Sequence, residues 1–259
     1  MTKSRNTARS DQGSGRRDEL QVHSPSLVDD IAFRLQSDIM AGVFPPGAHL
    51  QQDELCQKYG VSRTPVREAL HKLHAQNLVT IVPNKGATVR IPTERDLREV
   101  YAMRGELEGF SAELAAGNWS DADDMDLLAA QAKLTAFVAR GLAMREPSPE
   151  EEASMGARIA RANEEFHSII HQASGNTRLR NLILDLENSL PVSQIWRALR
   201  DANETEELNV RDHEDIAVAL RDGDGPAARE AMSRHITRAG ELLVEHLREV
   251  GFWKGKALR

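Results

Sequence analysis

One stretch of this chain has a strand-forming pattern, and its position after three helical segments constrains the fold more than any other feature. Residues 78–82 (LVTIV) and 87–91 (ATVRI) are rich in β-branched side chains and flank Pro83-Asn84-Lys85-Gly86, a composition suited to a hairpin turn. Upstream, Leu27, Ile31, Leu35 and Ile39 recur at four-residue steps, which predicts a helix stopped by Gly42 and the Pro45-Pro46-Gly47 turn. A short second helix has Leu55 and Tyr59 four apart and ends at Gly60. A third begins near Ser62, a suitable N-cap, with Pro65 in its first turn and Val66, Ala69, Leu70 and Leu73 on one stripe. Asn77 sits where this helix should stop, because Asn tolerates the left-handed conformation.

After Pro92 no strand pattern returns. Helical periodicity covers about 93–117, 121–145, 151–173, 177–200, 206–221 and 225–250, with 145–156 (REPSPEEEASMG) reading as a loop. The expected fold is therefore mainly α. An N-terminal winged helix-turn-helix, three helices plus a β-hairpin wing, precedes an all-α antiparallel helical bundle. Aromatic residues are only 4% of the chain, so the core must be aliphatic, which suits helix packing.

Formal net charge is −7, but it is divided. Residues 1–92 carry a net +3 and residues 93–259 a net −10. This asymmetry predicts two functional units, 25–92 and 93–250, between an N-terminal tail (1–24) and a C-terminal tail (251–259). Residues 1–24 are polar and lack the apolar core of a secretory signal, and no apolar run reaches the roughly 20 residues needed to span a bilayer. Cys56 is alone, so no disulfide framework forms and a cytoplasmic setting is expected.

The third helix has Arg63 and Arg67 at its start, where the helix dipole favours anions. A phosphate or a guanine edge near that end would reverse the cost, and each guanidinium can fork onto either. Ser62 and Thr64 add short hydroxyl donors. Asn84, Lys85 and Gly86 would form a small wing tip able to approach the DNA backbone or minor groove. The alternative is that both arginines are solvated charges near Glu54 or Glu68.

The segment VSRTPVREALHKLHAQNLVTIVPNKGATV, with the upstream IAFRLQSDIMAGVFPPGAHLQQDELCQKYG, resembles the signature of the GntR family of bacterial transcription regulators over about residues 26–92. The resemblance implies a homodimer on a short palindromic double-stranded operator, with contacts from Ser62, Arg63, Thr64, Arg67 and the wing tip at Lys85-Gly86. One position departs from the pattern: Asp53 stands where a basic residue is frequent, and an acid cannot donate to phosphate.

In the acidic half, Asn163 and His167 lie four apart on one helix face. His213 and His235 are each 11 residues from Asp224, the centre of the break between the last two helices. In an antiparallel pair both would stand about 16 Å from the turn, at the same height. With His167 they would form a three-histidine site with an amide oxygen, suited to a divalent Zn, Ni or Mn ion. Taken singly, each histidine also reads as an ordinary helix-surface or capped interior residue. Arg104 lies among Tyr101, Leu107 and Phe110, where a charge needs a partner: either Glu108 or Glu106, or the carboxylate of a small organic acid.

The segments MRGELEGFSAELAA, NEEFHSIIHQASGN and RDHEDIAVALRDGDGPAAREAMSRHI resemble the FCD type of C-terminal domain, from the FadR branch of the same family, over about residues 94–248. The resemblance implies an effector-binding bundle, with a metal held at Asn163, His167, His213 and His235. His171, one turn beyond His167, would compete for the metal or line the pocket. The expected function is a ligand-responsive DNA-binding regulator, most simply a repressor, sensing a small organic acid. The alternatives are a metalloregulator sensing the metal itself, or a metal-dependent hydrolase with an accessory DNA-binding domain.

Overall fold

The computed structural model describes residues 26–83, 86–190 and 207–254. Helix α1 (Leu27–Met40) starts at a capping box in which the Ser26 hydroxyl accepts from Asp29 N–H while the Asp29 carboxylate accepts from Ser26 N–H. Helix α2 (Gln52–Tyr59) stops at Gly60, whose φ of 67° is the left-handed cap. Helix α3 (Arg63–Ala75) follows and ends before Asn77, which takes φ 61° as its sequence suggests.

Three short strands, β1 (His49–Leu50), β2 (Val79–Val82) and β3 (Gly86–Val89), form an antiparallel sheet in the order β1-β3-β2. Val79 faces Val89 and Val82 faces Gly86 across the hairpin, while Leu50 pairs with Ala87. The two-residue β1 was not expected, because so short a strand has no periodicity to read. Its backbone lies so close to β3 that a Cβ on Gly86 would collide with the Leu50 carbonyl oxygen. One aliphatic core, including Leu35, Leu55, Leu70 and Val89, joins these helices to the sheet.

The second half contains α4 (Glu94–Ala116), α5 (Asp121–Leu142), α6 (Pro149–Ala173), α7 (Thr177–Glu187), a π-helical turn (Glu207–Arg211), α8 (Asp212–Arg221) and α9 (Gly225–Glu249). Helices α4 and α9 run antiparallel: Glu94 at the start of one pairs with Arg248 at the end of the other, and Glu113 pairs with Arg229. They approach closely because glycines line the contact. A Cβ on Gly240 would stand 2.5 Å from the Tyr101 side chain, and one on Gly109 would stand 2.9 Å from the Arg229 carbonyl. After α9, Trp253 Nε1 donates to the Pro92 carbonyl at 2.8 Å, tying the end of this helix to the start of α4.

Three expected boundaries change. Part of the expected loop 145–156 is helical, because Ser148 and Glu151 form a capping box and Pro149 occupies the first turn. Helix α7 ends at Glu187, and the expected continuation from 191 to 200 lies outside the described residues. The expected helix 206–221 divides into the π-turn and α8. Among the described residues no helix is long and apolar enough to cross a membrane.

Candidate functional site

The first site is the N-terminus of α3. Val66, Ala69, Leu70 and Leu73 bury one face completely, which leaves Ser62, Arg63, Thr64 and Arg67 exposed on the other. Ser62 holds the N-cap position in extended backbone, but its hydroxyl makes no capping hydrogen bond, so the first-turn N–H groups keep their donor capacity. No acid occupies the first turn of α3. An anion comes instead from α2: Asp53 accepts from Arg63 Nε at 2.8 Å and from Nη2 at 2.9 Å. The partner expected for Arg63 in the solvated reading was Glu54 or Glu68, and the structure supplies Asp53. Arg67 has no ion-pair partner among the described residues. Asn84 and Lys85 lie outside the described residues, and Gly86 is buried against β1.

The second site is in the bundle. His167 comes from α6, His213 from α8 and His235 from α9, and one ring nitrogen of each falls within 4.8 Å of the other two. All three are buried. The equal-height geometry read from the sequence holds for the pair on the last two helices: His213 Nε2 and His235 Nε2 are 3.2 Å apart. Two nitrogens bound to one ion at about 2.0–2.1 Å with tetrahedral angles lie roughly 3.3–3.4 Å apart, so the separation fits. Asn163 is half-buried one turn before His167.

The surroundings fix how these rings present themselves. Gln131 on α5 donates from Nε2 to the Asn209 carbonyl at 3.0 Å, within the π-turn. Its Oε1 therefore faces His213 Nδ1 at 3.0 Å and accepts from it. That leaves the His213 Nε2 lone pair pointing at His235. Phe166 stacks flat on the His213 ring at 3.9 Å and holds its plane. Asp212 Oδ2 stands 3.6 Å from His235 Nδ1, which favours the proton on that nitrogen. Two bare Nε2 atoms at this separation repel unless a proton or a cation lies between them. His235 Nδ1, Asp212 Oδ2 and His167 Nδ1 are all sealed from solvent without a hydrogen bond, each Nδ1 facing a carboxylate oxygen, Asp212 Oδ2 at 3.6 Å and Glu108 Oε2 at 3.2 Å.

Burial dominates the titration of His167 and His213. It pushes His167 down to about 4, against the opposing pull of the Glu108 carboxylate. Burial, with His235 and His167 beside it, holds His213 well below the usual imidazole range. Both rings are therefore neutral at ordinary pH, the form that binds metal.

Arg104 lies beside this centre. It donates from Nε to Glu108 Oε1 at 2.8 Å and from Nη2 to Glu187 Oε1 at 3.1 Å, while Glu106 turns to Arg229. Burial pushes the Glu108 carboxyl up, but Arg104 and the imidazoles of His167 and His171 outweigh it and hold it well below the carboxylate range. Burial raises Glu187, with Arg104 partly opposing. Glu108, His167 and His171 form a second group of three converging ligand atoms. Sequence reading missed Gln131, Asp212 and Glu187, and it gave Glu108 only the role of an ion-pair partner. Only Asp212, beside His213 in the chain, had a local signal.

Comparison with known proteins gives two family matches: the gntR family of bacterial regulatory proteins over residues 27–89 and the FCD domain over residues 99–238. The chain is 26% identical over 218 residues to the uncharacterized HTH-type transcriptional regulator YdhC of Bacillus subtilis, spanning 84% of this chain and 91% of that one. It is 30% identical over 206 residues to the probable D-xylose utilization operon transcriptional repressor of Paenarthrobacter nicotinovorans, spanning 77% and 80%. The solved structure of E. coli McbR/YncC superposes with a TM-score of 0.68 at 23% identity, covering 87% of this chain and 99% of the other, and so shares its fold.

Proposed function

Because this chain belongs to the gntR family of bacterial regulatory proteins and has the FCD domain, we propose that it is a homodimeric repressor whose hold on a palindromic operator is set by a small organic acid at a metal-containing bundle. It is a transcriptional regulator rather than an enzyme, so the hydrolase reading falls. Repression is favoured over activation because relatives along most of the chain are named as repressors.

The observation that carries the DNA reading is the division of α3 into a fully buried apolar face and an exposed cationic start. Ser62, Arg63, Thr64 and Arg67 enter the major groove, and Asn84 and Lys85 at the wing approach the neighbouring backbone, while Gly86, expected at the tip, is buried at the start of β3 and makes no contact. Two-fold symmetry of the dimer then requires two-fold symmetry of the operator. In the bundle, Asn163, His167, His213 and His235 hold a Zn, Ni or Mn ion, whose coordination expands beyond these four ligands to take an effector oxygen. Arg104, held in the structure by Glu108 and Glu187, takes the effector's carboxylate by exchanging Glu187 for it. An effector that binds one dimer arrangement more tightly shifts the population toward it.

The test starts by selecting bound fragments from host genomic DNA and measuring gel shifts on the recovered site. Arg67→Ala is expected to abolish the shift while the dimer persists in size-exclusion chromatography. Binding that survives this change sinks the assignment of α3. Titrating Zn²⁺ or Ni²⁺ into that assay separates the metalloregulator reading, in which metal alone changes affinity, from a metal that serves an organic effector.

A further inference from the structure

Glu108 is fully buried between the two groups on which the proposed ligand control depends. Its Oε1 accepts from Arg104 at 2.8 Å. Its Oε2 stands 3.2 Å from His167 Nδ1 and 3.4 Å from His171 Nε2. None of these last three atoms has a well-formed hydrogen bond, and all are sealed from solvent. A buried carboxylate oxygen in that condition is costly unless the arrangement is completed in another way.

We propose that Glu108 is the positioning residue of the metal centre. Its Oε2 takes the Nδ1–H of His167 and so turns the Nε2 lone pair of that ring toward His213 and His235. It also supplies the counter-charge that the ligands lack. This inference rests on the metal reading above. Three imidazoles and the Asn163 amide are all neutral, and a dication surrounded only by neutral groups in an interior is poorly compensated. Glu108 is the anion nearest His167. Arg104 does not cancel it, because Glu187 shares the same guanidinium at 3.1 Å, so the chain Glu187–Arg104–Glu108 keeps one net negative charge. Asp212 stands behind His235 in the same sense, at 3.6 Å, but shares its charge with Arg238 at 3.7 Å. In this arrangement His171 gives Glu108 Oε2 its second contact and is not a ligand.

Metal-free full-length protein is titrated with Zn²⁺ against a chromophoric chelator, comparing wild type with Glu108→Gln, His171→Gln and His213→Ala. Glu108→Gln is expected to weaken Zn²⁺ by about 10–100-fold, as loss of an outer carboxylate does. His171→Gln should weaken it far less, and His213→Ala should abolish tight binding. Glu108→Asp should recover part of the loss. In metal-free wild type, long-range ¹H–¹⁵N spectra should show His167 protonated on Nδ1, a readout that needs no variant. Should Glu108→Gln fold poorly, the triple change Arg104→Gln/Glu108→Gln/Glu187→Gln removes all three linked charges, leaves none unpaired and takes away the same net negative charge.

Unchanged Zn²⁺ affinity in Glu108→Gln, or His167 protonated on Nε2, overturns the proposal. So does a His171→Gln loss as complete as that of His213→Ala, which would make Glu108 and His171 direct ligands. Wild type that takes up no Zn²⁺ removes the metal reading itself, an outcome distinct from all of these.

Discussion

Arg63 donates two hydrogen bonds to Asp53 across the turn between α2 and α3, with the side chains 73% and 64% exposed. An exposed pair of this kind contributes only about 0–1 kcal/mol, so a DNA phosphate can displace Asp53 at little cost. If the start of α3 enters the groove as proposed, Asp53 opposes DNA in two ways: it occupies Arg63, and it places a negative charge at that end of α3. Asp53→Asn is therefore expected to tighten nonspecific DNA binding several-fold and to steepen the salt dependence by about one counterion, read by fluorescence anisotropy across a salt series. Weaker binding in the variant would show instead that Asp53 aims Arg63 productively. At the other site, His213→Ala removes the ring that stacks on Phe166 and faces His235, and metal analysis of the purified variant should show no bound ion. Equal metal content would exclude His213 as a ligand.

Among the elements, the α4–α9 pair brings the two sites of the bundle together, since α4 carries Arg104 and Glu108 and α9 carries His235. Its closeness depends on Gly240, where a Cβ would meet the Tyr101 ring. Gly240→Ala is expected to cost about 1–3 kcal/mol in urea unfolding, because two helix backbones must part. A smaller change would mean that Tyr101 can turn aside. Most elements were legible in the sequence. The apolar stripes placed nearly every helix, and the equal distances of His213 and His235 from Asp224 gave their common height. Short-range chemistry was read less well. The Ser148–Glu151 capping box is present in the sequence, but Pro147 and Pro149 around it give the stretch the look of a loop. The π-turn had no signal, although it supplies the Asn209 carbonyl that orients Gln131 and through it His213. The partners Glu108, Gln131 and Glu187 come from helices distant in the chain, and a helical pattern does not say which interior residues will meet.

Across the protein as a whole, His167 and His213 link stability to pH. His167 has its folded value pushed down to about 4 from an ordinary 6.5. Above 6.5 the ring is neutral in both states and costs nothing. As pH falls from 6.5 toward 4, the unfolded chain takes up a proton that the folded protein refuses, so stability falls with pH. His213, also lowered, acts in the same direction. Glu108 adds a further loss below its ordinary 4.5, because its folded form remains ionised. The metal-free protein should therefore show a lower urea midpoint at pH 5 than at pH 7. A flat profile would mean that these rings are not buried neutral in solution. Zn²⁺ that binds only the folded state should raise the thermal midpoint with concentration, contributing about 2.7 kcal/mol at a hundredfold excess over Kd, and chelation should reverse it.

A reading of consecutive residues is enough for the division into a basic winged helix-turn-helix and an acidic helical bundle, the exposed and buried faces of α3, and the histidines that could meet. Periodicity and turn chemistry are local, and they write those features into consecutive residues. It takes the packed helices to show that Asp53 holds Arg63, that Arg104 is shared by Glu108 and Glu187, and that Gln131 and Glu108 stand behind the imidazoles. Apart from Arg104–Glu108, four residues apart on α4, each of these contacts joins side chains on separate helices, so its distance is set by how the helices pack and by no spacing along the chain.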